Sequence, residues 1–493
     1  MADSIYIPDN QNPYNGGWKT GWMTLTTKTA KALDKLSKMS VWNLISENDV
    51  MLMSSSFGKK NISNAERKFL EIGDRKFKNE DGIEQHEYVV YTENIMGYLE
   101  VDGVQINIYS RFDQRDSDDL KEKKGKPKNY FLSNMLSKVC GISQTVNLSD
   151  TGPEEVFDLL ALFFPKMLKN AINQGLYRAY RKYECNDMHI KGQIDVSRHL
   201  RINVPFCGDI AYNTREYDSD NLVTQLIRHS IEYLKTKPLG KQVLNLDAET
   251  RTAVSMIVQA TPSYSHKDFI SVLQKNITKR VTHPYYIKYS ALQQLCIAIL
   301  QHKRLSYGND DKNKINGILF DGAWLWEEYV ATLIKDKFKH YTESNSKFHL
   351  FGNETSGDFQ KIIPDYLSHE GNDEDGYDAV ADAKYMRLED KEHLQGEQAY
   401  SVYYKTIMYM YRFNSKIGYI FHPVSQNYDG ALEVELPIKG GMDGKIIKIG
   451  LKIPTIADKK DFSEFRNEME QSEKEFKTSV SESLEKNNNV KTI

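Results

Sequence analysis

Ile362-Ile363-Pro364-Asp365-Tyr366 and Ala381-Asp382-Ala383-Lys384-Tyr385 are separated by an acidic stretch running from Gly371 to Gly376, and how this pair is read decides the fold of the C-terminal half. Successive side chains of an extended strand alternate between faces, so Asp382 and Lys384 project to the same side. Asp365 ends the apolar run Lys361-Ile362-Ile363. The glycine-containing loop lets the chain fold back and lay the two strands side by side. Two carboxylates beside an ammonium suit Mg²⁺, a hard ion held by a few carboxylates together with water and phosphate oxygens.

The surrounding order sharpens this reading. Apolar residues at helical spacing run from about Gly322 to His340, including Trp324, Trp326, Tyr329, Val330, Leu333, Ile334 and Phe338. Strand-like runs follow at Lys347 to Phe351, Phe359 to Leu367 and Asp378 to Met386, then a helical stretch from Lys391 to Phe413 and a strand from Ile417 to Val424. Helix, strands, helix, strand is the core order of the PD-(D/E)xK nucleases, which this region resembles. The resemblance places Glu327, within Trp326-Glu327-Glu328-Tyr329, as a third metal ligand on the helix. Glu328, about 100° further round, is the fallback. It implies hydrolysis of a phosphodiester, with Asp365, Asp382 and Glu327 holding one or two Mg²⁺ and Lys384 orienting water or stabilising the phosphate. One position departs from the pattern. Related nucleases often carry Gln four residues before a Tyr in the following helix, whereas Lys405 stands four before Tyr409 here, and Gln398 fits only with a shifted register. A lysine reaches a phosphate as a point charge but lacks the paired donor and acceptor of an amide.

At 493 residues the chain exceeds one ordinary core. A formal net charge of −3 gives no global nucleic-acid signal, so DNA contact must come from local patches. The four cysteines, Cys140, Cys185, Cys207 and Cys296, form no C-x-x-C pair and read as thiols of a reducing compartment. No leader pattern and no membrane-length apolar run occurs, which predicts a cytoplasmic protein with no membrane partner. No G-x-x-x-x-G-K-[ST] loop, H-E-x-x-H or G-x-S-x-G is present, so nucleotide hydrolysis by the chain itself is not expected.

The expected organisation is multi-domain α+β: a strand-rich N-terminal domain (1–148), a helical middle region (149–316), a restriction-endonuclease-like α/β core (317–456) and a charged, solvated helical or disordered tail (457–493). In the first, Tyr98 to Val101 and Val104 to Tyr109 alternate around Asp102-Gly103, a hairpin signal, and Tyr130 to Val139 reads as a helix. In the second, a long helix is predicted from Pro153 to Tyr183. Its basic end opens a stretch, Lys166 to Arg201, with eight Lys or Arg against Glu184, Asp187 and Asp195. Arg178, Arg181 and Lys182, interleaved with Tyr177, Tyr180 and Tyr183, are candidate DNA contacts, as is Lys405. Edge strands are predicted at Glu433 to Ile438 and Ile446 to Ile453.

Further segments narrow the family. Asn94-Ile95-Met96-Gly97-Tyr98 through Ile106 to Phe112, Phe131 to Lys138, Lys191 to Arg201 followed by Pro205-Phe206 and Asn221 to Leu226, and Gly317 to Val330 are similar to McrC-like proteins. These are nuclease subunits of two-component McrBC/LlaJI-type restriction systems. The resemblance implies a bacterial type II/IV-like restriction endonuclease subunit that acts on double-stranded DNA. It also implies a partner, an McrB-like AAA+ NTPase using GTP or ATP, which docks the N-terminal region and whose activity the chain stimulates. Two other readings are a non-catalytic activator and DNA clamp, and a stand-alone RecB-like repair nuclease.

Overall fold

A computed structural model describes residues 3–9, 23–54, 68–78, 84–113, 129–141, 153–306, 315–342, 345–352, 357–388, 399–440, 444–455 and 461–489. The architecture is mixed α+β and multi-domain, divided into one compact unit of Met1–Gly141 with Lys312–Ile493 and another of Ile142–Asp311.

In the first unit a five-stranded sheet runs in the order Asp3–Pro8, Val104–Tyr109, Ile95–Val101, Asn316–Asp321, Asp49–Met53. The predicted hairpin is present: Ile95–Val101 and Val104–Tyr109 pair antiparallel about Asp102 (φ 50°) and Gly103 (φ 73°). Positive φ at both central residues is what a tight hairpin with right-handed strand twist needs. Residues of these strands, Leu99, Val101, Ile106 and Ile108, meet Leu33 and Leu36 of the helix Thr27–Ser37 in one apolar core. Asn316–Asp321 joins this sheet, pairing antiparallel with Ile95–Val101. The N-terminal strands and the segment that enters the C-terminal core therefore share one sheet within one compact unit, in place of the expected separate domains.

The second sheet of this unit has six strands in the order Phe338–His340, Tyr366–Ser368, Val380–Ala383, Ile417–Ser425, Lys445–Ile453, Glu433–Pro437. Val380–Ala383 and Ile417–Ser425 are parallel, so the chain must cross over between them, and the crossover carries the helix Lys405–Arg412. That helix approaches closely at Gly418, where a Cβ would lie 2.7 Å from the Met410 sulfur. Three sequence expectations change here. The helix opening this region stops at Ile334, and Phe338–His340 is an edge strand. Phe359 to Leu367 splits into Phe359–Lys361, paired with His349–Phe351, and Tyr366–Ser368 in the main sheet. Lys445–Ile453 is an interior strand with a neighbour on each side.

The predicted solvated tail is instead a packed helix, Phe462–Asn489. Phe465, Met469, Phe476, Val480 and Leu484 recur every four or seven residues and are buried. Sparse apolar residues at that spacing make a continuous stripe, which overall charge conceals.

The second unit combines helices Pro153–Ile172, Leu222–Leu234, Pro238–Leu244, Ala248–Ala260, Phe269–Thr278 and Ile287–Ser306 with a three-stranded sheet. The long helix ends at Ile172, and Ala179–Asp187 is a strand paired with Ile210–Asp218. Alternating burial along Ala179–Asp187 shows why the helical reading fails: Arg181 and Tyr183 lie on one face, Tyr180 and Lys182 on the other.

Candidate active site

The site is built where a helix, two strands and the crossover meet. Helix Gly322–Ile334 starts at Asp321, whose carboxylate accepts from the amides of Ala323 (3.0 Å) and Trp324 (3.2 Å). Its buried side fixes it to the sheet: Trp326 Nε1 donates to the Phe421 carbonyl at 3.2 Å, and Tyr366 Oη donates to the Glu327 carbonyl at 2.6 Å. In the sheet, Tyr366 pairs with Ala381 and Leu367 with Val380. Continuing that antiparallel register by one step sets Asp365 against Asp382, and the Ala383 amide donates to Asp365 Oδ2 at 2.9 Å.

Asp382 is fully buried, and neither of its oxygens finds a hydrogen bond of normal geometry among the described residues. Its neighbours are ammonium groups: Lys384 forms an ion pair with it, and Lys405 Nζ lies 3.6 Å from Oδ1. Lys405 also lies 3.9 Å from Asp365 Oδ1. Burial, then the charges of Asp382 and Glu327, push the Asp365 carboxyl well above the carboxylate range. Burial acts to raise Asp382 as well, but Lys384 and Lys405 outweigh it and hold that group below its ordinary value. Burial works to lower Lys405, and the two aspartates more than reverse this. Like charges this close disfavour ionisation of both, so Asp365 holds its proton more tightly than Asp382 does.

Lys405 reaches the carboxylates through a local irregularity. Tyr400–Tyr404 form a π turn, and the Lys405 amide bonds back to the Tyr400 carbonyl. Such a turn inserts one residue into the helical register and rotates the residues after it. The Lys405 ammonium sits 5.3 Å from the Tyr409 ring centre, while Tyr409 Oη donates to the Ile363 carbonyl at 2.7 Å, close in sequence to Asp365. The lysine in the usual Gln position is thus part of the constellation. Gln398 lies outside the described residues.

Glu327 stands beside the aspartate pair and is itself partnered. It is near enough to raise Asp365, but its carboxylate is 2.8 Å from His340 Nε2. Among the described residues no group of three or more His, Cys, Asp or Glu side chains is gathered for a metal. Glu328 acts electrostatically on Tyr366. Asp365 and Asp382 are the two adjacent carboxylates that could hold a divalent cation such as Mg²⁺, which takes one or two carboxylates and keeps its remaining positions for water and phosphate. Sequence reasoning misses His340, because the spacing around it reads as helix and no motif marks it. Arg178, Arg181 and Lys182 belong to the other unit, and Arg181 is engaged by Asp220 at 3.1 Å and the Ser263 hydroxyl at 3.0 Å. No helix among the described residues is long and apolar enough to cross a membrane.

The chains of known structure similar to this one include two from McrBC assemblies. A chain in the refined half-complex from the tetradecameric assembly of Thermococcus gammatolerans McrB AAA+ hexamers with bound McrC is 16% identical, with a TM-score of 0.46, covering 97% of this chain and 99% of that one. A chain in the cryo-EM structure of the Thermococcus gammatolerans McrBC complex is 13% identical with a TM-score of 0.28, covering 67% of this chain and 87% of that one. No curated protein is similar enough to count as a match. The family model described as "McrBC 5-methylcytosine restriction system component" matches residues 90–422, well over half of the sequence. The chain belongs to the family of McrBC 5-methylcytosine restriction system components.

Proposed function

We propose that this chain is the DNA-cutting subunit of its restriction system, a Mg²⁺-dependent endonuclease of the PD-(D/E)xK type that works with an McrB-like AAA+ NTPase. The observation that carries the reading is the buried pair Asp365 and Asp382 with Lys384 and Lys405 beside it. A second aspartate and two lysines gathered around a fully buried carboxylate are costly to assemble for packing alone, which argues for a functional role. Asp365 and Asp382 would hold the metal, with Glu327 joining only by giving up His340. When bound, Mg²⁺ supplies neutralisation of phosphate charge and a more acidic water. The ammonium of Lys384 lies where it can orient a nucleophilic water or meet the charge that develops on the phosphate. Lys405, 36% exposed, faces solvent enough to contact a DNA phosphate as well. Since the sequence has no phosphate loop of its own, hydrolysis of the system's GTP or ATP falls to the partner.

The test is cleavage of closed circular DNA, methylated and unmethylated, by the chain with its neighbouring NTPase, Mg²⁺ and GTP or ATP. Lys384→Ala should abolish cutting and retain stimulation of the NTPase. Absence of cutting by the parent, with stimulation intact, would favour an activator and DNA clamp; partner-independent attack on linear ends would favour a stand-alone repair nuclease.

A further inference from the structure

The unit Ile142–Asp311 contains a cavity of about 550 Å³, walled by the strand Ala179–Asp187, the start of helix Leu222–Leu234 and the helix Phe269–Thr278. Its charge is one-sided. Five cations line it, Arg181, Lys182, Lys275, Lys279 and Arg280, against the single carboxylate of Asp268. Arg181 is neutralised by Asp220 at 3.1 Å. Among the described residues Lys182, Lys275 and Lys279 have no carboxylate within ion-pairing distance. Lys182 acts at longer range on Asp195, which leaves Lys275 and Lys279 uncompensated on one helix end, and an anionic occupant relieves the repulsion among the cations around the concavity.

The wall is rigid where it is buried. Asn276, 1% exposed, donates to the carbonyls of Leu222 (2.9 Å) and Val272 (2.8 Å) and accepts from Gln293 at 2.8 Å. Across the cavity, Ser263 and Gln225 are tied to the Asp220 carboxylate, which in turn fixes Arg181. Apolar surface is present as well, from Val272 and Val281, and the Tyr180 ring stands 75% exposed at the side, 5.3 Å from Tyr217. Small-molecule sites range from roughly 300 to 1,000 Å³, so an inorganic anion would leave most of this space unfilled. Lysines for phosphate, an aromatic face for a base and a volume of this size together define the chemistry.

We propose that this cavity binds a nucleotide, a nucleoside carrying phosphate, either free or as one unit of a DNA strand. The site uses none of the residues around Asp365 and Asp382, so it stands or falls separately from the nuclease reading.

The experiment is titration of the full chain, without Mg²⁺ so that cleavage plays no part, with GTP, dCMP and short single- and double-stranded DNA. Lys275 and Lys279 are exposed, so the double substitution Lys275→Glu with Lys279→Glu can be made without disturbing the core, which circular dichroism checks. Binding of at least one probe, weakened by about tenfold or more in the double Glu variant and kept within about threefold in Lys275→Arg with Lys279→Arg, is expected. GTP or dCMP binding that responds to the substitutions identifies a free nucleotide as the occupant. DNA binding that responds, with neither nucleotide competing, identifies a strand. The proposal is overturned if no probe binds the parent, or if every probe binds the double Glu variant as tightly as the parent.

Discussion

Replacing Glu473 by Ala should destabilise the first unit far more than its place in a charged C-terminal helix suggests. Its side chain is 3% exposed; Oε1 accepts from Tyr329 Oη at 2.7 Å and from Asn134 Nδ2 at 3.4 Å, and Oε2 pairs with Lys138 at 2.7 Å. One residue therefore ties together the helices Tyr130–Val139, Gly322–Ile334 and Phe462–Asn489. The tyrosine bond to a charged acceptor contributes about 1.5–3 kcal/mol. The lysine, 28% exposed, keeps partial access to water, so its loss adds roughly 1 kcal/mol, and the 3.4 Å amide contact adds little. The sum, about 2.5–4 kcal/mol, overlaps the loss of about 3–5 kcal/mol usual when one partner of a buried pair is removed. Glu473→Gln keeps the shape and the tyrosine bond and should cost about half as much. Urea denaturation followed by tryptophan fluorescence reads the change, because Trp326 lies in the anchored helix. A loss below about 0.5 kcal/mol for Glu473→Ala, the level of an exposed residue, would refute the packed helix and restore the solvated tail.

Single residues elsewhere give further predictions. Burial lowers His422 from its ordinary 6.5 to about 4. Between those values the unfolded chain binds the extra proton, so stability rises with pH across the window and falls by up to roughly 3 kcal/mol as pH drops through it. Urea midpoints at about pH 7 and about pH 4.5 should show this loss, and His422→Leu should reduce it. Gly97 has φ 133°, and a Cβ there would lie 2.2 Å from the Ile318 carbonyl oxygen, whereas Gly141 (φ 68°) has nothing within 4 Å. Gly97→Ala should therefore lower stability in urea denaturation by about 3 kcal/mol or more, and Gly141→Ala by only about 1 kcal/mol. Lys405→Ala should slow cleavage by about a hundredfold with NTPase stimulation unchanged, the scale for removing one electrostatic contact in a site. An unchanged cleavage rate would remove Lys405 from the machinery.

Much of the candidate site is legible in the sequence because it rests on period-two spacing and a return loop. Asp382 and Lys384 share a strand face, and the chain between Gly371 and Gly376 turns back so that Asp365 meets Asp382. The Asp102-Gly103 hairpin is equally local. The illegible parts depend on distant packing or on a short break in periodicity. Nothing near Asn316–Asp321 announces that this strand completes the N-terminal sheet, since its partners lie more than 200 residues earlier. The π turn at Tyr400–Tyr404 shifts a register by one residue, below what spacing resolves, and it determines where Lys405 points. Ala179–Asp187 is hard to read because Tyr180 and Tyr183 stand three residues apart, a helical spacing, whereas the strand sends them to opposite faces. In the C-terminal helix, the buried apolar side chains are few against the charged residues around them, so composition points to solvent while the spacing points to a packed face.

On the proposed function, Asp365 and Asp382 form a metal-dependent phosphodiester-cleaving centre. The most direct measurement is the rate of nicking and linearisation of closed circular DNA by the chain and its NTPase partner, with Mg²⁺ or with EDTA, comparing the parent with Asp382→Asn. The parent should cut only with Mg²⁺, and Asp382→Asn should not cut at all while still folding and still stimulating the partner. Cutting by Asp382→Asn at the parental rate, or cutting that persists in EDTA, would contradict it.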